Sequence, residues 1–118
     1  MMTRPWLAEA QRDRVCARMA LQIVAVSTGV AVETMMRGTR LDGRACRARW
    51  LAMYLAHVAF GWSLERVGFA FGMNRTTAAA ACRWAEDGRD RPILDALLDR
   101  LERCVREVLE APACELGR

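Results

Sequence analysis

Two capping residues and two glycines within Ser63–Arg83, SLERVGFAFGMNRTTAAAACR, leave this stretch few ways to fold. Ser63 stands where its hydroxyl accepts from the first free amides of a helix over Leu64–Phe71, and Glu65 meets that helix's positive end. Leu64, Val67 and Phe71 fall at i, i+3 and i+7, which predicts one buried side. Gly68 lets another backbone come close, and Gly72 supplies the left-handed residue that ends the helix. Asn74 then caps a second helix whose first residues are Arg75, Thr76 and Thr77. The stretch reads as helix, tight turn, helix.

On the second helix, Ala78, Ala81, Cys82 and Ala85 share one face, suited to packing. Thr76, Ala79, Ala80 and Arg83 point the other way, and a purely solvated face would normally carry Glu, Lys or Gln there. A thin helix with hydrogen-bonding residues at its amino end suits a DNA major groove, where such residues meet base edges. An alanine-rich core helix in a small bundle accounts for the same residues, since many helix–turn–helix hairpins never touch DNA. Taken alone, the hairpin leaves both readings open.

Composition narrows the field. At 118 residues and 53% hydrophobic content, the chain is long and apolar enough for one compact domain with its own core. Residues 1–83 hold 12 Arg against 5 acids, whereas residues 84–118 hold 6 Arg against 9 acids. A basic body with an acidic end segment points to a polyanionic partner, the acidic end being kept away from it. All 18 positive charges are Arg, which favours bidentate phosphate and guanine contacts, although a GC-rich genome produces the same bias. Without lysine, no phosphate loop of the G-x-x-x-x-G-K-S/T kind exists in these residues.

Cys16, Cys46, Cys82, Cys104 and Cys114 form no C-x-x-C pair, and the one histidine, His57, is distant from all of them in sequence. That pattern excludes a conventional zinc motif, and the odd count argues against a closed disulfide framework. Most of these cysteines read as small core residues in a reducing compartment, with Cys114 as an exposed thiol. His57 reads as structural or partly exposed rather than chemical. No nucleophile–base pair, metal cluster or phosphate loop supports an enzyme, and no cofactor is expected.

In chain order, a first helix starts at Thr3 with Pro5 in its first turn and runs to about Val26, with Leu7, Val15, Met19, Ile23 and Val26 suggesting its apolar side. The apolar stretch Ala20–Val32 is interrupted by Gln22, Ser27, Thr28 and Gly29, and is shorter than the ~20 residues of a membrane span. Glu9 and Asp13 spoil a signal peptide. Val32–Arg37 makes a short second helix, followed by a loop, Gly38–Gly43, with Arg37, Arg40, Arg44, Arg47 and Arg49 around it and only Asp42 opposing them. A solvated helix edge has this look too. A mobile loop with an Arg at its tip also suits a minor groove, with neighbouring Arg residues on phosphates.

Arg44–Phe60, with Trp50, Leu51, Met53, Leu55, Val58 and Phe60, has little polar face and should be the central strut, ended by Gly61. Trp62 before Ser63 is placed to staple the next helix. After Glu86 the run DGRDRP should break the second hairpin helix, with Asp90 capping a last helix from Arg91 or Pro92. Leu94, Leu97, Leu98, Leu101, Cys104, Val105, Val108 and Leu109 form its stripe, which either folds back on the basic body or pairs with a second copy. Folding back is the default for this length.

Together these residues resemble a known family. ARWLAMYLAHVAFGWSLERVGFAFGMNRTTAAAACR (Ala48–Arg83) is similar to the carboxy-terminal DNA-binding domain, domain IV, of the bacterial replication initiator DnaA. The A-M-Y-L, S-L-x-x-V-G-x-x-F-G and T-T…A-C-R motifs keep the family's order and spacing, and VAVSTGVAVETMMRGTR (Val24–Arg40) resembles its first two helices and basic loop. The resemblance covers roughly Met19 to Asp87 and implies an all-α, Trp repressor-like bundle that binds double-stranded DNA at short asymmetric boxes. It places Arg40 in the minor groove, Asn74, Arg75, Thr76 and Thr77 in the major groove, and Arg49 and Arg83 on the backbone. Arg44 and Arg47 join the backbone set from their position beside the loop.

The chain departs from the family in three ways. Asn74-Arg75 replaces the usual Asp-His, the hairpin turn is one residue shorter, and the loop around Leu41–Gly43 is about one residue longer. Asn does not accept from cytosine's amino group as an ionised Asp does, and Arg prefers guanine's acceptors, so a changed box is expected. The resemblance does not extend to the initiator's ATPase domain, so no ATP-driven assembly is expected of these residues.

The expectation is therefore a single domain over residues 1–118, with a 19–87 helix–turn–helix core and an added amphipathic helix at 90–110. It would act as a DNA-binding regulator of transcription or replication in the bacterial cytoplasm, without nucleotide or membrane. The alternative is a protein-binding module, or a homodimer, using the Leu94–Leu109 stripe.

Overall fold

The computed structural model describes residues 5–37, 42–112, 114, 116 and 117, with side chains from Glu9 onward. Among them six helices and no strands are found: α1 (Pro5–Thr28), α2 (Val32–Met35), α3 (Gly43–Ala59), α4 (Leu64–Ala70), α5 (Arg75–Gly88) and α6 (Pro92–Glu110). This is the all-helical bundle that the sequence predicts. No helix among the described residues is long and apolar enough to cross a membrane.

α3 is the strut, in contact with all five other helices. Leu51 through Leu55, together with Ala56, are buried all round its axis, which is why its sequence shows so little polar face. It starts one residue earlier than expected because Asp42 is its cap, the carboxylate accepting from the Ala45 amide at 2.7 Å. It ends at Ala59, where Gly61 takes φ +69°. His57 sits at this end, its Nδ1 donating to the Trp62 carbonyl at 2.7 Å, so its role is to hold the α3–α4 turn.

α1 corrects the sequence reading. Val15 and Val26 are 70% and 87% exposed, and Met19 and Ile23 are only half-buried. The face that packs on α3 is Ala17, Ala20, Leu21 and Val24, with Asp13 in line. These four fall at i, i+3, i+4 and i+7, and the two alanines let the helix backbones approach, which a reading weighted towards large side chains misses. Asp13 is buried for a specific reason: Arg66 on α4 makes a bidentate pair with it, at 2.7 and 2.8 Å. Arg66 also lies over the Trp62 ring, 4.8 Å from its centroid.

α6 folds back on α3 and α1, with Leu98, Leu101 and Val105 buried. Two expectations about its start need correction. α5 does not break after Glu86 but runs on to Gly88, which is buried beneath the Leu94 side chain, where glycine leaves room. Asp90 does not cap α6; Arg91 precedes it without a side-chain cap bond, and Pro92 begins it. The α5–α6 corner is fastened instead by Arg89, whose guanidinium donates to the Tyr54 hydroxyl (2.9 Å), Asp95 (2.7 Å), Asp99 (2.9 Å) and Glu102 (3.3 Å). Burial works against that charge, but the hydrogen bonds to Tyr54, Asp95 and Asp99 outweigh it and hold its pKa above the ordinary value. Cys104, expected in the apolar stripe, is exposed, as is Cys114; only Cys82 is fully buried.

Candidate nucleic-acid interface

The hairpin is built from local chemistry. Ser63 Oγ accepts from the Arg66 amide at 3.2 Å, and Val67 and Phe71 face the core. Gly72 adopts φ +68°, turning the chain back so that the Met73 amide donates to the Gly68 carbonyl at 2.7 Å. A Cβ at Gly68 would lie 2.7 Å from the Asn74 carbonyl carbon and 2.8 Å from its oxygen. The close backbone approach that Gly68 suggested is therefore what seats the first turn of α5 on α4.

Asn74 caps α5, its side-chain oxygen accepting from the Thr77 amide at 2.8 Å. That oxygen is engaged by the helix, which leaves the side-chain amide nitrogen as the free donor of the exposed Asn74. Arg75, Thr76 and Arg83 are exposed, and Thr77, Ala79 and Ala80 are half-buried. Ala78, Ala81, Cys82 and Ala85 are buried against α3 and α4, so the inward face is the one that periodicity predicts. Burial pushes the Cys82 thiol up to about 11, with Glu86 adding to the effect, so it stays neutral at pH 7.

The remaining candidates come from α3 and from the loop before it. Arg44 and Arg47 are exposed at the start of α3, Arg44 donating to the Thr28 carbonyl at the end of α1. Arg49 is half-buried, and its Nε makes no hydrogen bond among the described residues. Trp50 on α3 and Trp84 on α5 pack with centroids 5.9 Å apart, fixing the two helices side by side. Arg44, Arg47 and Trp84 line one groove, which brings the α3 arginines to the flank of α5. Arg40, with Gly38, Thr39 and Leu41, lies outside the described residues.

Charge pairing sorts the arginines. Arg66, Arg89 and Arg106 are engaged by carboxylates of α1 or α6. Among the described residues, Arg44, Arg47, Arg49, Arg75 and Arg83 have no ion pair. The acids of α6 are thus partly consumed in holding the fold, while the hairpin side keeps uncompensated charge. Because α5 runs past the expected break after Glu86, Asp87 joins Glu86 on it, and both are exposed, a negative end to an otherwise basic helix.

Comparison with known proteins agrees with this geometry. The profile of the bacterial DnaA protein helix-turn-helix matches residues 18–84. A solved structure titled as a DNA replication initiation factor superposes with a TM-score of 0.75 at 26% identity, covering 87% of this chain and 32% of that one. No curated protein sequence matches the chain significantly. With more than half of its length on the family profile and the hairpin built as described, this chain belongs to the bacterial DnaA helix-turn-helix family.

Proposed function

We propose that this protein binds double-stranded DNA through its helix–turn–helix, with sequence preference, and regulates transcription or replication initiation at sites resembling the initiator's boxes. The observation that carries this is the outward edge of α5. Arg75, Thr76 and Arg83 are exposed on it, and α6 packs on the other helices rather than over it. In this reading Asn74, Arg75, Thr76 and Thr77 read base edges, Arg40 probes the minor groove, and Arg44, Arg47, Arg49 and Arg83 hold phosphates. Glu86 and Asp87 repel the backbone, which tilts α5 so that its amino end enters the groove first. The chain has no phosphate loop of the lysine type, so no nucleotide-driven step is assigned to these residues.

The alternative, a protein-binding module using the Leu94–Leu109 stripe, is weakened by where that stripe lies. Its centre, Leu98, Leu101 and Val105, is already buried within the chain.

The test is fluorescence anisotropy on matched and scrambled duplexes, the matched sequence being selected from a random library. Arg75→Ala should relax preference at one base position at a cost of ~1–3 kcal/mol. Arg83→Ala should weaken all duplexes alike and flatten the salt dependence by about one unit. Identical effects of both changes on matched and scrambled DNA would refute the division of labour. Absence of binding at low salt would refute the function.

A further inference from the structure

A groove of about 760 Å³ runs between the end of α1, the start of α3, the end of α5 and the start of α6. Its floor is apolar, with Leu51, Trp84 and Leu97, and its rim carries three guanidinium groups, Arg44, Arg47 and Arg91. No acidic residue among the described residues lines it. This concavity sets three charges of the same sign around an apolar floor, and none of the three has an ion pair among the described residues. Contact with Trp50 holds the Trp84 ring, and the bond from Arg44 to the Thr28 carbonyl holds one corner of the rim.

We propose that this groove is a ligand site for a small organic carboxylate with a flat aromatic body. The volume lies within the range of small-molecule sites. Trp84 offers a face for an aromatic ring, and an arginine fork matches a carboxylate with two parallel hydrogen bonds. The three lining charges select an anion, and the apolar floor selects against a small, fully hydrated one such as phosphate. Two of the rim residues, Arg44 and Arg47, are also the proposed phosphate contacts. On that reading, which this part rests on, a bound carboxylate competes with DNA and makes the protein a regulator that answers to a metabolite.

The direct test is a titration of the whole chain with biphenyl-4-carboxylate, using biphenyl-4-methanol as a control of the same shape without charge. Binding is read by the Trp84 indole signal in nitrogen–proton NMR spectra, assigned with Trp84→Phe. The carboxylate should shift that signal saturably and bind about tenfold more tightly than the alcohol. Ile93 is 89% exposed on the groove's edge, so Ile93→Glu adds a like charge without a burial cost. Ile93→Glu and Arg91→Gln should each weaken the carboxylate several-fold, and because each also lowers the charge beside Arg44 and Arg47, each should lower affinity for all duplexes alike by no more than about two- to threefold. Equal binding of alcohol and carboxylate, carboxylate binding by Ile93→Glu at wild-type strength, or an unmoved Trp84 signal would each overturn the proposal. In a parallel arm, saturating carboxylate should lower DNA affinity; unchanged affinity would overturn the competition. A protein that shows no DNA binding even without ligand would refute the DNA reading, while the NMR titration would still decide the groove.

Discussion

Replacing Gly68 by alanine tests whether the close seat of α5 on α4 is required. The added methyl would sit 2.7 Å from the Asn74 carbonyl carbon, 2.8 Å from its oxygen and 3.1 Å from the Arg75 amide nitrogen. Ordinary carbon contacts need roughly 3.5–4.0 Å, so the two backbones must part by about 1 Å at this point. The opposing atoms are main chain and cannot rotate away. Against main chain that cannot move aside, the cost falls in the upper part of the usual overpacking range, about 2–3 kcal/mol, and the better helix propensity of alanine returns ~1 kcal/mol. The net expectation is a loss of about 1–2 kcal/mol, a fall in Tm of about 4–8 °C for a chain this size. Circular dichroism melts and urea titrations would measure it. Gly88→Ala is the control, because there the new methyl clashes only with the end of the Leu94 side chain, which has other rotamers, and meets Arg91 at ordinary contact distance, so a change within about 1 kcal/mol is expected. A Gly68→Ala protein as stable as the wild type, or more so, would refute the argument that glycine is needed for backbone approach.

Other outcomes follow from charge and burial. Four proposed phosphate contacts, Arg44, Arg47, Arg49 and Arg83, predict a slope of about −3.6 in log K against log salt, measurable by anisotropy between 50 and 200 mM salt, on the order of −0.9 per contact. Asp87→Asn should raise affinity for all duplexes by about two- to threefold, since it removes a repulsive charge from the exposed end of α5. The buried Cys82 thiol makes stability depend on alkaline pH: below its ordinary value near 9.0 the stability is fully present, and it falls as pH rises towards about 11. The unfolded chain loses the proton first in that window, which costs up to about 2–3 kcal/mol. Denaturant melts of wild type and Cys82→Ala from pH 8 to 11 should diverge in slope; parallel curves would refute the assignment to Cys82.

What the residues reveal by themselves is whatever depends on neighbours three or four positions away. Ser63 and Asn74 are caps, Gly72 turns the chain, Gly68 admits a backbone, and the period of Ala78, Ala81, Cys82 and Ala85 sets the inward side of α5. Each rule acts over seven residues or fewer, so each can be read from a short string. Interactions between distant segments are another matter. Val15 and Val26 looked like core and are exposed, because the face of α1 is chosen by how closely Ala17 and Ala20 let it approach α3. Arg66 finds Asp13 across 53 residues, and Arg89 gathers Tyr54, Asp95, Asp99 and Glu102 from two other helices. Such pairs leave no periodic trace, since their spacing is set by the path of the fold rather than by helical pitch. The groove under Arg44, Arg47 and Arg91 belongs with them: four helix ends enclose it, and only their packing brings three guanidinium groups and an indole to one place.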